Sequence, residues 1–182
     1  MKDSSKEVVA FVKENDVKFI RLAFCDHVGV QKNISLQPGE LERAFESGIP
    51  FNAWELPGFH LPAGTKLLLR PDARTLSILP WRPSSGRVIR LFCDLMNADG
   101  TPYGGDTRAM LQKTVQDAAQ LGYSIRIGSA CEFYLFHTDE NGDPTMVPQD
   151  RGSFFDLAPA DRGENVRRDI CLTLYEMGII PG

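Results

Sequence analysis

The carboxylate in this chain with the clearest chemical potential is Glu132, which lies inside the apolar run of residues 128–136. The run has the composition of a buried β-strand. Side chains alternate across a strand, so Ala130, Glu132 and Tyr134 share one face and apolar side chains occupy the other. A carboxylate beside aromatic residues needs a cation, a hydrogen-bond network or water to offset its desolvation, and a metal ion meets that need fully. On these residues alone, an exposed strand glutamate is the simpler interpretation.

Other polar patterns have ordinary structural interpretations. Residues 139–143 resemble a calcium-binding loop, but Pro144 occupies the place of the required turn glycine, so they predict a solvated hairpin tip. Residues 104–106, Gly-Gly-Asp, lack the spacing of a nucleotide-binding fingerprint and predict a linker followed by a helix cap. The three histidines are far apart in the sequence, which argues against a histidine-based metal or nucleophile site.

The composition is that of an ordinary globular protein, with 42% hydrophobic and 24% charged residues. The net charge of -4 and the absence of a basic stripe argue against a nucleic-acid partner. No apolar run is long enough to span a membrane, and the polar start does not resemble a signal peptide, so we expect a cytoplasmic protein. The four cysteines are scattered, which predicts reduced, semi-buried side chains rather than disulfides.

Local patterns in the first half predict an α+β fold. A helix that Ser4 or Ser5 caps is expected to end near Asn15, and a second helix is expected from Pro38 to about Ser47. The predicted strands are residues 17–25, 29–36, 66–70, 75–79 and 88–94. One or two helices lying on a small mixed sheet is the architecture that these elements indicate.

The composition changes at a turn-rich linker, residues 98–105. A helix capped by Asp106 follows and is expected to end at Gly122. The strand that carries Glu132 comes next, then a polar loop over residues 137–152 and a helix over residues 161–177. The predicted division is therefore a domain over residues 1–97, the linker, and the incomplete beginning of a second domain over residues 106–182.

Several motifs together resemble bacterial type I glutamine synthetase. They are residues 17–22 (VKFIRL), 92–94 (FCD), 99–102 (DGTP), 131–136 (CEFYLF), 155–159 (FDLAP) and 163–174 (GENVRRDICLTL). The resemblance implies a β-grasp-like amino-terminal domain followed by the opening strand and helices of a catalytic domain. It also implies an ATP-dependent ligase that joins ammonia to the γ-carboxylate of glutamate through γ-glutamyl phosphate, with Mg or Mn ions holding the phosphates.

The resemblance also implies a metal site in which Glu132 is a ligand. The family has a glutamate-x-glutamate pattern on this strand, and two glutamates spaced by one residue project from the same face. Here Ala130 replaces the first glutamate. Since sites built on few carboxylates tolerate such a loss poorly, we expect weak divalent metal binding.

Three further departures from the family fall at positions that the resemblance assigns to the ammonium site. Asn52 stands where the family has the aspartate that helps to bind and deprotonate ammonium, and Phe154 stands where the family commonly has tyrosine. A neutral amide neither attracts a cation nor acts as a base. Glu55, at a position where the family has serine, restores a carboxylate nearby.

The segments that follow residue 182 in the family carry the histidine-glutamate segment, the ATP contacts and the glutamate-binding arginine. The resemblance therefore implies that these 182 residues alone make no glutamine. The alternatives are a ligase for an amine larger than ammonia, a non-catalytic paralogue or fragment that binds family subunits, and a stand-alone small-molecule module.

The expected partners are a second copy of the chain or homologous subunits, with no nucleic acid and no membrane. We expect residues 51–59 to project outward and offer Trp54, Leu56 and Phe59 to a neighbouring subunit. The sheet edge beside the Glu132 strand is expected to add to this self-association. The alternative is that the loop folds back onto its own domain as part of the core.

Overall fold

The computed structural model describes residues 4–82 and 85–181. The chain forms two compact units that meet in sequence between Ile125 and Arg126. The predicted domain limits at residues 1 and 182 lie outside the described residues. No helix in the described part of the chain is long and apolar enough to cross a membrane.

The first unit is built on a six-stranded mixed sheet. Its strands are β1 (Val17–Cys25), β2 (Gln31–Leu36), β3 (Ile49–Asn52), β4 (Lys66–Pro71), β5 (Ser77–Ile78) and β6 (Arg87–Asn97). The order across the sheet is β2-β1-β6-β4-β3, and β5 pairs with β6. The β1 and β6 strands run parallel, and the other pairs are antiparallel. The predicted α+β fold with a small mixed sheet is confirmed.

One face of this sheet is buried under two helices, α1 (Ser4–Glu14) and α2 (Leu41–Ser47). The core residues of the central strands alternate as a two-residue period requires, and Leu22 of β1 and Leu91 of β6 are fully buried register partners. Val12 of α1 and Leu41 of α2 close the core from the helix side. Each such buried aliphatic side chain contributes roughly 1.5–3 kcal/mol.

A third helix, α3 (Thr107–Gln120), follows the linker in the first unit. Asp106 caps it as predicted, because its Oδ1 accepts the backbone N–H of Arg108 at 3.0 Å. The second oxygen accepts the N–H of Leu95 in β6 at 3.0 Å. One buried carboxylate thus ties the start of α3 to the central sheet.

The second unit contains a hairpin of β7 (Phe136–Thr138) and β8 (Pro144–Pro148), and the helix α4 (Glu164–Glu176). The hairpin tip confirms the solvated turn, since Asp139 Oδ1 accepts the N–H groups of Asn141 and Asp143 at 2.9 Å each. All four cysteines are free, but Cys131 and Cys171 are exposed rather than semi-buried.

The strand predicted around Glu132 is not formed. Residues 123–135 have no regular secondary structure, and strand pairing begins only at Phe136, opposite Pro148. A β-strand requires a hydrogen-bonded neighbour along its length, and β8 is five residues long and pairs only with β7. The apolar composition of residues 128–135 is therefore not sufficient to make them a strand.

Candidate functional site

The four predicted site residues occur in two places. Asn52 and Glu55 belong to the first unit, at the end of β3 and in the short 3₁₀ helix Ala53–Glu55 that follows it. Glu132 and Phe154 belong to the second unit. Each pair has its own local geometry.

Glu132 and Phe154 line one cavity of about 880 Å³ within the second unit. The cavity is formed by the irregular chain before β7, by the segment after β8 and by the start of α4. Phe154 is 86% exposed and its ring lies 4.2 Å from that of Phe155, centroid to centroid. The structure thus places the carboxylate of Glu132 and the apolar ring of Phe154 at the same cavity.

The other acidic side chains of this cavity already have partners. The Arg167 guanidinium holds the pKa of Asp161 below its usual value through an ion pair. Asp150 accepts the N–H groups of Arg162 at 2.8 Å and Gly152 at 3.0 Å, and these bonds lower its pKa. Among the described residues, Glu132 has no hydrogen-bond or ion-pair partner. It is the carboxylate of this cavity that is free to bind a ligand.

The donor set around Glu132 does not complete a metal site. Nowhere in residues 4–82 and 85–181 do three His, Cys, Asp or Glu side chains come together as metal ligands. Ala130, two residues before Glu132, offers no oxygen. Mg²⁺ and Mn²⁺ are held by several oxygen ligands, so the residues present supply one ligand and no more.

In the first unit, the two altered positions contact each other. The amide Nδ2 of Asn52 donates to Oε1 of Glu55 at 3.3 Å, and both side chains are exposed. The amide therefore orients the carboxylate of Glu55 and leaves its other oxygen open to solvent. A negative charge is present in this loop, displaced from position 52 to position 55.

The loop of residues 51–59 folds back on its own domain, so the prediction that it offers Phe59 to a neighbouring subunit is wrong. Phe59 is 1% exposed, and its ring lies 6.3 Å from Phe51 and 6.2 Å from Phe24. Leu56 also packs against the core. These three aromatic rings bury more apolar area together than an outward Phe59 would. Trp54 alone remains outward, at 40% exposure.

The end of this loop is held by residues that the sequence analysis did not single out. Gly58 lies so close to Asp26 that a Cβ at this position would be 2.9 Å from the Asp26 carboxylate. The His27 ring packs 4.9 Å from Phe59, and its Nε2 lies 3.2 Å from the hydroxyl of Tyr103 in the linker. The linker and the β1–β2 turn therefore fix the position of the loop together.

Asp26 is the buried polar centre of that turn. Although burial by itself would raise its pKa, the N–H groups of Val30 (2.8 Å) and Val28 (3.0 Å) and the ammonium of Lys32 hold the pKa below its usual value. The signal for this arrangement was present in the sequence as an Asp followed three residues later by Gly29, a pattern typical of a tight turn.

A second polar cluster joins α3 to the sheet. Arg108 contacts Asp72 at 2.7 Å and also Asp94, and Arg74 donates twice to Asp72, at 2.8 and 2.9 Å. The Arg74 guanidinium, with Arg108, holds the pKa of Asp72 well below its usual range. Asp72, Arg74 and Asp94 line a cavity of about 440 Å³. The two carboxylates and two guanidinium groups of the cluster neutralise each other. It fastens α3 rather than offering a free charge to a ligand.

Family models match most of the chain. The one described as glutamine synthetase, β-grasp domain covers residues 16–98, and the one described as glutamine synthetase, catalytic domain covers residues 104–181. The chain belongs to the glutamine synthetase family. The resemblance inferred from the motifs is confirmed.

Individual family members agree with this assignment. A glutamine synthetase of Clostridium saccharobutylicum is 45% identical over 177 residues, which make up 97% of this chain and 40% of the relative. One of Methanosarcina mazei is 41% identical over 175 residues, which make up 96% of this chain and 39% of the relative. The chain thus spans about 40% of the length of the curated glutamine synthetases that it matches.

Solved structures show the same fold. Plasmodium falciparum glutamine synthetase superposes with a TM-score of 0.73 at 15% identity, over 97% of this chain and 40% of that protein. A GmaS/ADP complex superposes with a TM-score of 0.70 at 21% identity, over 98% of this chain and 40% of that protein.

Proposed function

We propose that this chain represents the β-grasp domain and the start of the catalytic domain of an ATP-dependent ligase, which joins ammonia to the γ-carboxylate of glutamate through γ-glutamyl phosphate. The observation that carries the proposal is the match of both glutamine synthetase domain models, in order, over residues 16–98 and 104–181. In this proposal Glu132 contributes one ligand to a Mg or Mn ion, and residues 52–55 belong to the amine site.

The 182 residues alone are proposed to be inactive. Glu132 is a single metal ligand without a partner carboxylate, and the chain covers about 40% of the length of the glutamine synthetase of Clostridium saccharobutylicum. A metal ion would polarise phosphate oxygens in such a reaction, and of its ligands the described residues would supply Glu132 alone.

The test is formation of γ-glutamyl hydroxamate from glutamate, hydroxylamine and ATP with Mg²⁺ or Mn²⁺. We expect no product from the purified chain and clear product from the complete Clostridium saccharobutylicum relative under the same conditions. Product that the chain makes in a metal- and ATP-dependent manner, and that the Glu132→Ala variant fails to make, would contradict the proposed inactivity.

A second candidate is a ligase for an organic amine larger than ammonia, and the contact between Asn52 and Glu55 favours it. The carboxylate at position 55 is oriented by the Asn52 amide and adjoins the exposed indole of Trp54 in the sequence. A carboxylate together with an aromatic ring recognises an alkylammonium better than it recognises ammonium, because the ring also contacts the alkyl group.

Transfer of the loop tests this second candidate. Residues 51–55 of this chain would replace the corresponding segment of the Clostridium saccharobutylicum relative, and kcat/KM would be compared for ammonia and methylamine. We expect the ratio of the two values to shift towards methylamine. The shift should disappear when Glu55 of the grafted segment is changed to Ser, and an unchanged ratio in the first graft would argue for ammonia as the substrate.

A further inference from the structure

Two arginines lie directly opposite each other on the face of the sheet that points away from α1 and α2. Arg21 of β1 and Arg90 of β6 are register partners in the parallel pair. They alternate with fully buried core residues, so both project from the outer face. Neighbouring strands are about 4.8 Å apart, which brings two positive side chains side by side.

Neither guanidinium is neutralised. Within the described residues, Arg21 has no hydrogen-bond or ion-pair partner, and the buried Nε of Arg90 has no hydrogen-bond partner either. Arg90 lies over the ring of Phe92, 4.5 Å from its centroid. Asp94, on the same face of β6, is already bound by Arg108. Like charges directly opposite on adjacent strands destabilise a sheet, so placing the two arginines side by side costs stability within the domain.

Polar and aromatic side chains surround the pair on the same face of the sheet. Ser35 is the register partner of Arg21 on β2, and Ser77 is that of Arg90 on β5, so a hydroxyl flanks each arginine. Phe19, on the same face of β1, is 52% exposed. Arginine and aromatic side chains are among the residues that contribute most to protein–protein binding.

We propose that the Arg21–Arg90 pair binds carboxylate side chains of an acidic segment on another protein chain. Each guanidinium presents a planar fork of N–H donors that matches a carboxylate in a bidentate arrangement. A pair of Asp or Glu side chains would neutralise the like charges of the two guanidinium groups. Phe19 would add apolar contact at the border of the same surface.

The test is an amide NMR titration of the whole chain with an acetylated Glu-Ala-Glu-Ala-Glu peptide, the Gln-Ala-Gln-Ala-Gln peptide and inorganic phosphate. We expect the acidic peptide to give saturable shifts in β1 and β6. Arg21→Gln and Arg90→Gln should each weaken the apparent affinity about tenfold, as loss of one charged hydrogen-bonded partner does. Arg70→Gln is the matched control, since Arg70 lies on the same face of β4 but opposite Asp94, and it should leave the affinity unchanged.

Each alternative result overturns the proposal. Equal shifts with the glutamine peptide would show that the carboxylates are not recognised, and stronger binding of phosphate at the same amides would assign the pair to a free oxyanion. Absence of peptide binding would show that the Arg21–Arg90 pair does not bind an acidic segment. If the Arg90→Gln variant does not fold, which loss of chemical-shift dispersion would show, the Arg21→Gln variant decides the outcome. The native Arg21 side chain makes no hydrogen bond within the described residues, so its replacement should not affect folding.

Discussion

Replacement of Asp106 by Ala should destabilise the first unit by about 2–3 kcal/mol. The carboxylate is 2% exposed and serves two separate backbone donors, the N–H groups of Arg108 at the start of α3 and of Leu95 in β6. Loss of a helix N-cap costs about 1 kcal/mol. A buried N–H left without an acceptor, here that of Leu95, costs about 1–3 kcal/mol. Burial raises the pKa of Asp106, because it disfavours the charged carboxylate. Removing the carboxylate removes this desolvation cost, which offsets part of the loss in stability.

The assay is urea denaturation followed by tryptophan fluorescence. Both tryptophans, Trp54 and Trp81, belong to the first unit, so the signal reports on unfolding of the sheet and α3. Asp117→Ala is the matched control, because it makes the same chemical change on the exposed side of the same helix. Its free energy of unfolding should stay within about 0.5 kcal/mol of the parent.

The Asp106→Asn variant separates the two roles of the carboxylate. An amide has one acceptor oxygen, so it can serve Arg108 or Leu95 but presents an N–H₂ group to the other. We therefore expect most of the loss seen in the Ala variant to remain. A loss below about 0.5 kcal/mol in Asp106→Ala would refute the argument, since it would mean that neither the cap nor the bond to β6 contributes measurably.

Three other predictions concern charge, metal and assembly. Asp72 has a lowered pKa in the folded state. Its contribution to stability is therefore fully present when the pH is above the usual pKa of 3.8, and it is lost as the pH falls from there through the pKa of the folded state. The urea midpoint should therefore drop more steeply on acidification in the parent than in Asp72→Asn. Titration calorimetry should show no tight Mn²⁺ binding, whereas tight binding that Glu132→Ala abolishes and Asp143→Ala retains would show that the site is more complete than we infer. Light scattering should show an oligomer that Trp54→Ser weakens and Trp81→Ser does not, and a parent chain that stays monomeric at high concentration would remove Trp54 from an interface.

The first unit was predictable because its elements have strong local signals. Residues 17–25 carry the β-branched and aromatic residues of a central strand, and the strand begins and ends where predicted. Asp106 was recognisable as a cap from its place before an apolar helical pattern. In each case the residues that decide the structure lie within a few positions of one another.

The loop of residues 51–59 shows what local patterns leave open. Apolar residues in a short loop are compatible with an outward surface and with a place in the core. The burial of Phe59 is decided by its contacts with Phe24 and Phe51, which depend on how β1 and β3 are arranged in the sheet. The bond between Asn52 and Glu55 follows from the 3₁₀ turn between them, which had no sequence signal of its own.

The polar cluster of Asp72, Arg74, Asp94 and Arg108 could not be predicted from the sequence, for a different reason. Arg108 contacts Asp72, which is 36 residues away, and Asp94, which is 14 residues away. These contacts exist because β4 and β6 pair with Arg70 opposite Asp94, a register that no short motif specifies. Long-range ion pairs of this kind can be predicted only after the strand order is known.

The second unit lacks the burial that would fix the surroundings of Glu132. The helix α4 has no buried residue, and apolar side chains such as Leu172 remain 56% exposed. A helix of 13 residues is marginally stable in water unless one face packs against something. Residues 126–135 of this unit have no regular secondary structure and pair with no strand. Glu132 itself is exposed, so no buried neighbour in this unit fixes the position of its carboxylate.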